Sequence, residues 1–453
     1  MWIWGSITSF GSGPASVLYA PAERVGLDAL SGASIFGADL ESLRGHNVLL
    51  ATREQLPTAL ALIELDGLAR RMVVCPPGLS PEHFAAIIRD ADIDVIAGDL
   101  EVPEPGRPGV RRQQISGSEL IPGTVRRYSH ETEWVLLTSG TSGAPKLVLH
   151  TLSSLTSALS GARPRPITWS TFYDIRRYGG LQIFLRALHG GSLLLSDPQE
   201  PTEDFLRRAG ASQITHISGT PSHWRKALMS NAISHITPEY VRLSGEIVDQ
   251  AILDALQHAF PAAVVAHAFA STEAGVGFEV RDGLAGFPAD ITQTNGVQID
   301  TSGGTLRLKS GGNAQRYLTT GAPELKDPDG FVSNADLLER RGDRYMFVGR
   351  GGGVINVGGL KVHPEEVEAV INSHPQVRMS LVTGRRNPIT GAVVVADVVL
   401  AAPQASPAQD RSIVDEVMSL CRSKLAAHKV PMSMRVVPTL NVSPSGKLVR
   451  PYA

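Results

Sequence analysis

Residues 137–146 read LTSGTSGAPK: four hydroxyls, two glycines and a lysine in ten positions. Short apolar runs with strand character flank the segment, EWVLL before it and KLVLHT after it. It is therefore read as a loop joining two strands. Small residues let backbone N–H groups close on a ligand, while the hydroxyls and Lys146 add donors, so the loop suits a polyphosphate. A Walker A loop is excluded. That pattern puts Lys directly after its second glycine, then Ser or Thr, then a helix; here Ala144 and Pro145 separate Gly143 from Lys146, and Leu147 follows. Taken alone, the loop also fits a polar hairpin with no ligand.

Working outward, strands and helices alternate. HNVLLAT, RMVVCP and DIDVIAGD read as buried strands, with REQLPTALALIELDGLA and SPEHFAAIIRDA as helices between them. Such alternation implies a largely parallel, doubly wound sheet. GSLLLSD, ITHISGTPS, YVRLSGE and AVVAHAFAS continue the pattern as strand ends. The Pro- and Gly-rich residues 103–123 read as a loop that joins two subdomains. From 303 to 349, short strands and tight turns (DPDG, RRGDR) indicate a small barrel or sheet. Beyond GRGGG, HPEEVEAVINSH reads as a helix, VVVADVVLA as a strand and SIVDEVMSLCRSKLAAH as an amphipathic helix, together a compact α+β unit of domain size. The expected fold is a large α/β N-terminal domain, residues 1–350, with doubly wound sheets plus a small β subdomain. A small α+β C-terminal domain, residues 351–453, follows on a glycine hinge, since glycines 351–353 tolerate large φ/ψ changes.

The 453 residues are 42% hydrophobic and 19% charged, with a net charge of -2. That describes an ordinary globular chain and gives no reason to expect nucleic acid or an anionic membrane as partner. Cys75 and Cys421 match no metal or redox spacing, so a reducing, cytoplasmic setting is expected. The N-terminal MWIWGSITSFG lacks a basic leader and an apolar h-region and is not read as a signal peptide. No segment approaches the ~18 uninterrupted apolar residues of a membrane span.

Further segments place polar residues in suggestive settings. HAFASTEAGVG ends an apolar run with Ser271, Thr272 and Glu273, which singly are an ordinary helix cap. FVSNADLLER sets Asp336 after a turn, where a carboxylate either accepts both hydroxyls of a ribose or faces water. GRGGGVINVGGLKVHPEEVEAV brings Arg350 to the domain junction, followed by a hairpin with Gly358, Gly359 and Lys361. The glycine pair beside a strand suggests close passage of a ligand or backbone; Pro364, Glu365 and Glu366 are normal at a helix start. NVSPSGKLVR presents Lys447 almost at the C-terminus.

Each signal is modest singly, but their order is specific. T-S-G-T-S-G-x-P-K, S-T-E, a turn with aspartate, G-R with G-G-x-K-V-x-P-x-E-V-E, then P-S-G-K closely resembles the AMP-forming adenylating superfamily. That superfamily holds acyl-CoA synthetases, peptide-synthetase adenylation domains and luciferases, and VGGLKVHPEEVE is closest to acyl- and aryl-CoA ligases. The resemblance covers roughly residue 134 to the end. It implies ATP- and Mg2+-dependent activation of a small carboxylic acid as an acyl-adenylate with pyrophosphate release, then transfer to a thiol, coenzyme A foremost. A carrier protein's phosphopantetheine is the alternative acceptor, and a non-catalytic nucleotide-binding relative the alternative in kind.

The resemblance also implies roles. Thr138, Ser139, Gly140, Thr141, Ser142, Gly143 and Lys146 would cover the outer phosphates of ATP. Thr272, beside Ser271, would contact the α-phosphate and Glu273 would ligate magnesium. Gly245 and Glu246 would line the adenine pocket, and Asp336 and Arg350 would contact the ribose. Lys447 would bridge carboxylate and α-phosphate, so that Lys447, Thr272 and Glu273 are the expected catalytic residues. Gly358, Gly359 and Lys361 would line the thiol channel once the C-terminal domain turns about Gly352. Two departures stand out: NAD replaces the usual TGD at residues 334–336, and Gly352 stands where Asp or Lys is usual. For the acid pocket, TFYDIRRYGGLQ offers Tyr173, Asp174, Arg176 and Arg177, together with His267. The arginines either face solvent or bind a polar substituent or second carboxylate on the acid.

Overall fold

The computed structural model describes residue 3 and residues 16–103, 107–115, 117–123, 128–138, 145–159, 167–197, 199–291, 293–294, 296–350, 353–388, 390–401, 407–443 and 446–450. Among these, two large sheets share a buried helical layer. The seven-stranded sheet runs, edge to edge, Arg316–Tyr317, Leu147–Thr151, Glu133–Leu137, Arg71–Val74, Asn47–Ala51, Val95–Gly98 and Arg111–Gln114. Its neighbours from Glu133–Leu137 onward are all parallel. The eight-stranded sheet runs Gly275–Val280, Val264–Ser271, Tyr240–Ser244, His216–Gly219, Ile167–Thr171, Gly191–Leu194, Val17–Tyr19 and Arg24–Gly26, with a parallel centre.

The helix Gln55–Leu65 explains how the sheets meet. Every one of its residues is buried, because a helix apolar all round leaves no face for water. With Tyr178–Leu188 it forms one cluster that joins Val48, Leu50, Met72 and Trp134 of the first sheet to Leu18, Trp169 and Leu193 of the second. Its one acid, Glu64, accepts hydrogen bonds from Ser34 Oγ and the Ile35 N–H. The outer faces are covered as well. Thr202–Ala211, Pro221–Leu228 and Gln250–Ala259 pack on Ile217, Val241, Leu243 and Val265, while Phe84–Asp90 packs on Leu49, Val73 and Ile96. Helices on both faces make the sheets doubly wound, as expected.

Residues 103–123 require a correction. Arg111–Gln114 is the edge strand of the seven-stranded sheet, parallel to Val95–Gly98, and Ile121–Pro122 pairs with Ala33–Ser34. The segment finishes a sheet instead of joining subdomains. Its RRQQ sequence lacks an apolar face because an exposed edge is protected by charge.

A six-stranded, largely antiparallel sheet formed by segments between Phe287 and Arg350 is the small β unit, packed on Phe278, Phe287, Leu306, Leu308 and Val332. The last sheet has five strands: Leu360–Val362, Ile355–Val357, Gly391–Leu400, Val377–Asn387 and, parallel to Gly391–Leu400, Ser433–Val436. Val377–Asn387 is a strand the sequence reading does not foresee. Pro364–Asn372 and Pro407–Lys424 pack on this sheet through Val367, Ile371, Ile413, Val417 and Cys421. No helix among the described residues is long and apolar enough to cross a membrane.

Candidate active site

Parallel sheets open their ligand crevice at the carboxyl ends of the strands. Four adjacent strands of the eight-stranded sheet deliver polar residues there in succession. Ile167–Thr171 leads to Tyr173, His216–Gly219 to Thr220, Tyr240–Ser244 to Gly245 and Glu246, and Val264–Ser271 to Thr272 and Glu273.

Lys447 enters this edge from the end of the chain. A β-carbon built on Gly245 would lie 3.6 Å from Lys447 Cε, 3.7 Å from Thr220 Cγ2 and 3.8 Å from Tyr173 Oη. Three attachments seat the lysine loop. Thr220 Oγ1 donates to the Gly446 carbonyl, the Leu448 N–H donates to Glu246 Oε1 at 2.9 Å, and Gly446 rests against the His223 imidazole. Gly446 has φ +75°, and any β-carbon there would overlap that ring. Glu246 also accepts from the Ser222 N–H at 2.9 Å and Ser222 Oγ at 3.0 Å, tying the start of the helix Pro221–Leu228 to the loop. Burial pushes His223 down to about 3, so its ring is neutral.

Burial, with the Arg350 guanidinium, lowers the pKa of Lys447, while Glu246, Asp336 and Glu273 oppose the shift. The ammonium therefore lies within electrostatic reach of three carboxylates and a guanidinium supplied by separate segments. Asp336 and Arg350 face each other across the strands Val332–Arg341 and Arg344–Arg350. Arg350 Nε donates to Asp336 Oδ1 at 2.8 Å, whereas the buried Asp336 Oδ2 has no partner among the described residues. A buried acceptor left unmet costs ~1–3 kcal/mol, and a ribose hydroxyl is a donor of the right kind. Ala335, at φ +56°, turns this carboxylate inward, and Asn334 Nδ2 anchors the turn on Ser271 Oγ at 2.9 Å.

The turn with Thr272 and Glu273 is held from behind. His150 Nε2 donates to the Thr272 carbonyl at 2.7 Å and Nδ1 accepts from Ser154 Oγ at 2.9 Å. Burial pushes His150 down to about 4; the ring is neutral, and a carbonyl acceptor fixes its proton on Nε2. Tyr317 Oη donates to Glu273 Oε1 at 3.4 Å, and Lys146 Nζ sits 4.9 Å from the centre of the Tyr317 ring. Lys146 and Glu273 thus meet across one tyrosine. The Thr138 N–H donates to the Lys146 carbonyl at 3.0 Å, and Leu137 pairs with Leu147, so the loop joins two antiparallel strands as expected. Ser139, Gly140, Thr141, Ser142 and Gly143 lie outside the described residues, as does Gly352. Among the described residues no group of three or more His, Cys, Asp or Glu could hold a metal. Glu273 alone fits magnesium's habit of binding one or two carboxylates and completing its shell with substrate phosphate oxygens.

Several expected pocket residues are otherwise engaged. Arg176 is corrected from substrate contact to internal strut. Its Nε and Nη2 clasp Asp174 at 2.8 and 2.6 Å, and Nη1 reaches the Thr52 and Arg53 carbonyls at 2.6 and 2.9 Å. Asp174 is consumed by the same pair. His267 Nε2 bonds the Leu284 carbonyl at 3.0 Å, and Arg177 Nη2 donates to the Pro77 carbonyl at 3.2 Å. Tyr173 remains at the site, donating to the Ser244 carbonyl at 2.6 Å. Gly358 and Gly359 have φ +60° and +86° in an exposed hairpin, with nothing near their β positions; Lys361 is exposed beside them. A two-residue hairpin turn of type I′ demands positive φ at both residues, so turn geometry explains the glycine pair without a ligand. Thr220, His150, His223 and Tyr317 carry no sequence signal beyond ordinary strand and cap patterns.

Known proteins resemble this chain in sequence and in fold. The profile of the AMP-binding enzyme family matches residues 68–303, and that of the AMP-binding enzyme C-terminal domain matches residues 366–447. The chain belongs to the AMP-binding enzyme family. Relatives of this AMP-binding enzyme include the acyl-CoA ligase ppsA of Aspergillus oryzae, 28% identical over 284 residues, which are 54% of this chain and 49% of that protein. The mitochondrial acyl-coenzyme A synthetase ACSM4 of Rattus norvegicus is 27% identical over 366 residues, 72% of this chain and 61% of that protein. A 2-succinylbenzoate–CoA ligase of Listeria monocytogenes is 25% identical over 339 residues, 70% and 69% of the two chains. The chain thus spans about half of the first relative's length and about three-fifths of the second's. In fold, the AMP-binding enzyme matches the anthranilate CoA ligase AuaEII in complex with anthranoyl-AMP, with a TM-score of 0.83 and 17% identity over 99% of this chain and 95% of that one.

Proposed function

We propose that this AMP-binding enzyme is an ATP-dependent acid–thiol ligase, which activates a carboxylic acid as its adenylate and passes the acyl group to coenzyme A. The observation that carries the reading is Lys447, brought from the chain end to the strand edge beside Gly245 and within reach of Asp336, Arg350 and Glu273. A carboxylate attacking a phosphate joins two anions, so positioning and charge neutralisation dominate the catalysis. Asp336 Oδ2 is the acceptor for the ribose hydroxyls, backed by Arg350. Lys146 and the loop it ends take the outer phosphates. Magnesium, when bound at Glu273, supplies further charge neutralisation between phosphate oxygens. The Lys447 ammonium holds the acid carboxylate against the α-phosphate. His150 keeps the Thr272 main chain rigid behind it.

In the first half-reaction a carboxylate oxygen bonds to the α-phosphorus and pyrophosphate leaves. In the second, a thiol sulfur bonds to the acyl carbon, AMP leaves and the thiol proton passes to solvent. The second needs a channel that the Lys447 loop fills. We therefore assign residues 1–350 and 351–453 to two bodies hinged near Gly352, with the exposed hairpin of Gly358, Gly359 and Lys361 as the part that replaces the loop. The CoA-ligase names of the relatives favour coenzyme A over a carrier-protein thiol, and two buried, unpaired cysteines suit a cytoplasmic setting. Acid-dependent exchange of labelled pyrophosphate into ATP tests the reading. Lys447→Met should lower exchange roughly 10²–10³-fold, the usual cost of removing one preorganised charge contact. Undiminished exchange in that variant, or none with any acid, would refute the proposal.

A further inference from the structure

Arg242 is a buried charge that adenylation leaves unused. It lies on the strand Tyr240–Ser244 and is 3% exposed. Val241 and Leu243 face the helix-covered core, so alternation points Tyr240, Arg242 and Ser244 to the opposite side. There the register sets Ser218 beside Arg242 on one neighbouring strand and Ala266 on the other, with Ala268 beside Ser244 and Glu279 across from Ala268. The Tyr178 phenol, from the helix Tyr178–Leu188, comes within electrostatic reach of both Arg242 and Arg186, and the Tyr173 phenol within reach of Arg242.

Arg242 is not used up by its neighbours. Nε donates to Glu279 Oε2 at 3.2 Å and Nη1 reaches Ser244 Oγ at 3.5 Å, but the buried Nη2 has no partner among the described residues. Ser218 Oγ, on the adjacent strand and wholly buried, has none either. Native interiors rarely leave such groups unmet. Charge points the same way. Glu279 Oε1 is taken by Arg281 at 2.7 Å, so two guanidinium groups share one carboxylate and one positive charge is left over. The place is informative as well. Tyr173 Oη bonds the Ser244 carbonyl and borders the space beside Gly245 that Lys447 enters. Arg242 lies three residues below Gly245, roughly 10 Å along a strand.

We propose that Arg242 Nη2 and Ser218 Oγ form a distal subsite for an acid that carries a second anionic group, a carboxylate foremost, roughly 10 Å from the carboxyl to be activated. The inference rests on the adenylation reading and moves the second-carboxylate contact from Arg176, whose three guanidinium nitrogens are each bonded within the fold, to Arg242. A carboxylate supplies acceptors for both orphaned donors and cancels the surplus charge, and its pairing with a planar guanidinium is directional. An apolar tail would leave Nη2 and Ser218 Oγ buried without partners.

The test is pyrophosphate exchange with matched acids of graded length, aliphatic and aromatic, each offered as the dicarboxylic acid and as its half-amide. The wild type is compared with Arg242→Met/Glu279→Gln, which removes the guanidinium together with the carboxylate it bonds, and with Arg242→Lys. An ATP-induced rise in Tm confirms that each variant is folded. The wild type should favour the dicarboxylic acid of fitting length at least 30-fold in kcat/KM, and the double variant should reduce that ratio to less than threefold. If the double variant does not fold, Arg242→Lys decides: keeping the charge but losing the fork, it should cut the ratio about tenfold. A wild type indifferent to the far group, or a variant that keeps the wild-type ratio, would overturn the inference while leaving adenylation intact. Exchange with no acid in the panel would overturn the adenylation reading and this inference with it.

Discussion

Glu246→Gln tests how the lysine loop is held. The carboxylate accepts from the Ser222 N–H at 2.9 Å, Ser222 Oγ at 3.0 Å and the Leu448 N–H at 2.9 Å. Glutamine offers a single oxygen. Turned toward Leu448, it would set its NH2 against the main-chain N–H at the start of a packed helix. Turned toward that N–H, its NH2 donates to Ser222 Oγ and opposes only Leu448, on a loop free to move away. The second arrangement wins, so the loss falls on the loop. A hydrogen bond to a charged acceptor contributes ~1.5–3 kcal/mol; in a part-buried site about 2 kcal/mol is appropriate, or roughly 30-fold in the seated fraction. The Thr220 contact to Gly446 remains, so seating is weakened and not abolished. Single-turnover pyrophosphate release should fall about 10- to 30-fold. Thioester formation from a supplied acyl-adenylate and coenzyme A should change less than about threefold. Equal loss in both half-reactions, or unaltered pyrophosphate release, would refute the idea that Glu246 seats Lys447.

Other perturbations probe other joints. Ala335 sits at φ +56°, where a non-glycine residue costs ~1–2 kcal/mol. Ala335→Gly should therefore stabilise the fold by about 0.5–1 kcal/mol after glycine's extra chain entropy, seen as a higher denaturant midpoint at unchanged m; a lower midpoint would contradict it. Gly446→Ala should push the loop off the His223 ring and cost at least ~10-fold in adenylation with little change in Tm, and adding His223→Ala should recover part of the loss; an unaffected single variant would show that the contact is not needed. His150 and His223 take up protons at about 4 and about 3 when folded, against an ordinary 6.5. The unfolded chain binds those protons more readily, so their contribution is complete above pH 6.5 and drains away as pH falls, by ~1.4 kcal/mol per unit for each ring. His150→Gln should flatten the fall of Tm between pH 6.5 and 4, and an unchanged slope would count against a neutral, buried His150.

What the sequence reveals depends on how local the cause is. The strands either side of residues 138–146 are legible because apolar runs and a Pro/Gly loop are local signals, and the burial of Gln55–Leu65 is legible because a helix without a polar face has one stable place. Asp336, Arg350, Glu273 and Lys447 are individually unremarkable; only their order along the chain predicts that they meet. Side-chain partners are another matter. Arg176 looks available in TFYDIRRYGG, yet its acceptors include carbonyls at Thr52 and Arg53, about 120 positions earlier. Gly358 and Gly359 suggest a ligand although a tight turn suffices. Val377–Asn387 ends in Arg385, Arg386 and Asn387 and has no clean alternation, so its strand character comes from pairing with Gly391–Leu400. Arg242 is visible as a charge inside an apolar strand, but the atom it leaves unmet appears only when its neighbours are in place.

The loop bearing Lys447 and the hairpin bearing Gly358 and Gly359 hang from the same five-stranded slab, one following its strand Ser433–Val436 and the other forming its edge. Two tips fixed to one plank cannot dip into one slot together. On a see-saw of this kind the lysine would have to lift out before the opposite end could descend, so the order of events would be set by leverage. Joining the tips to separate supports would remove that discipline and expose the reactive mixed anhydride to water between strokes.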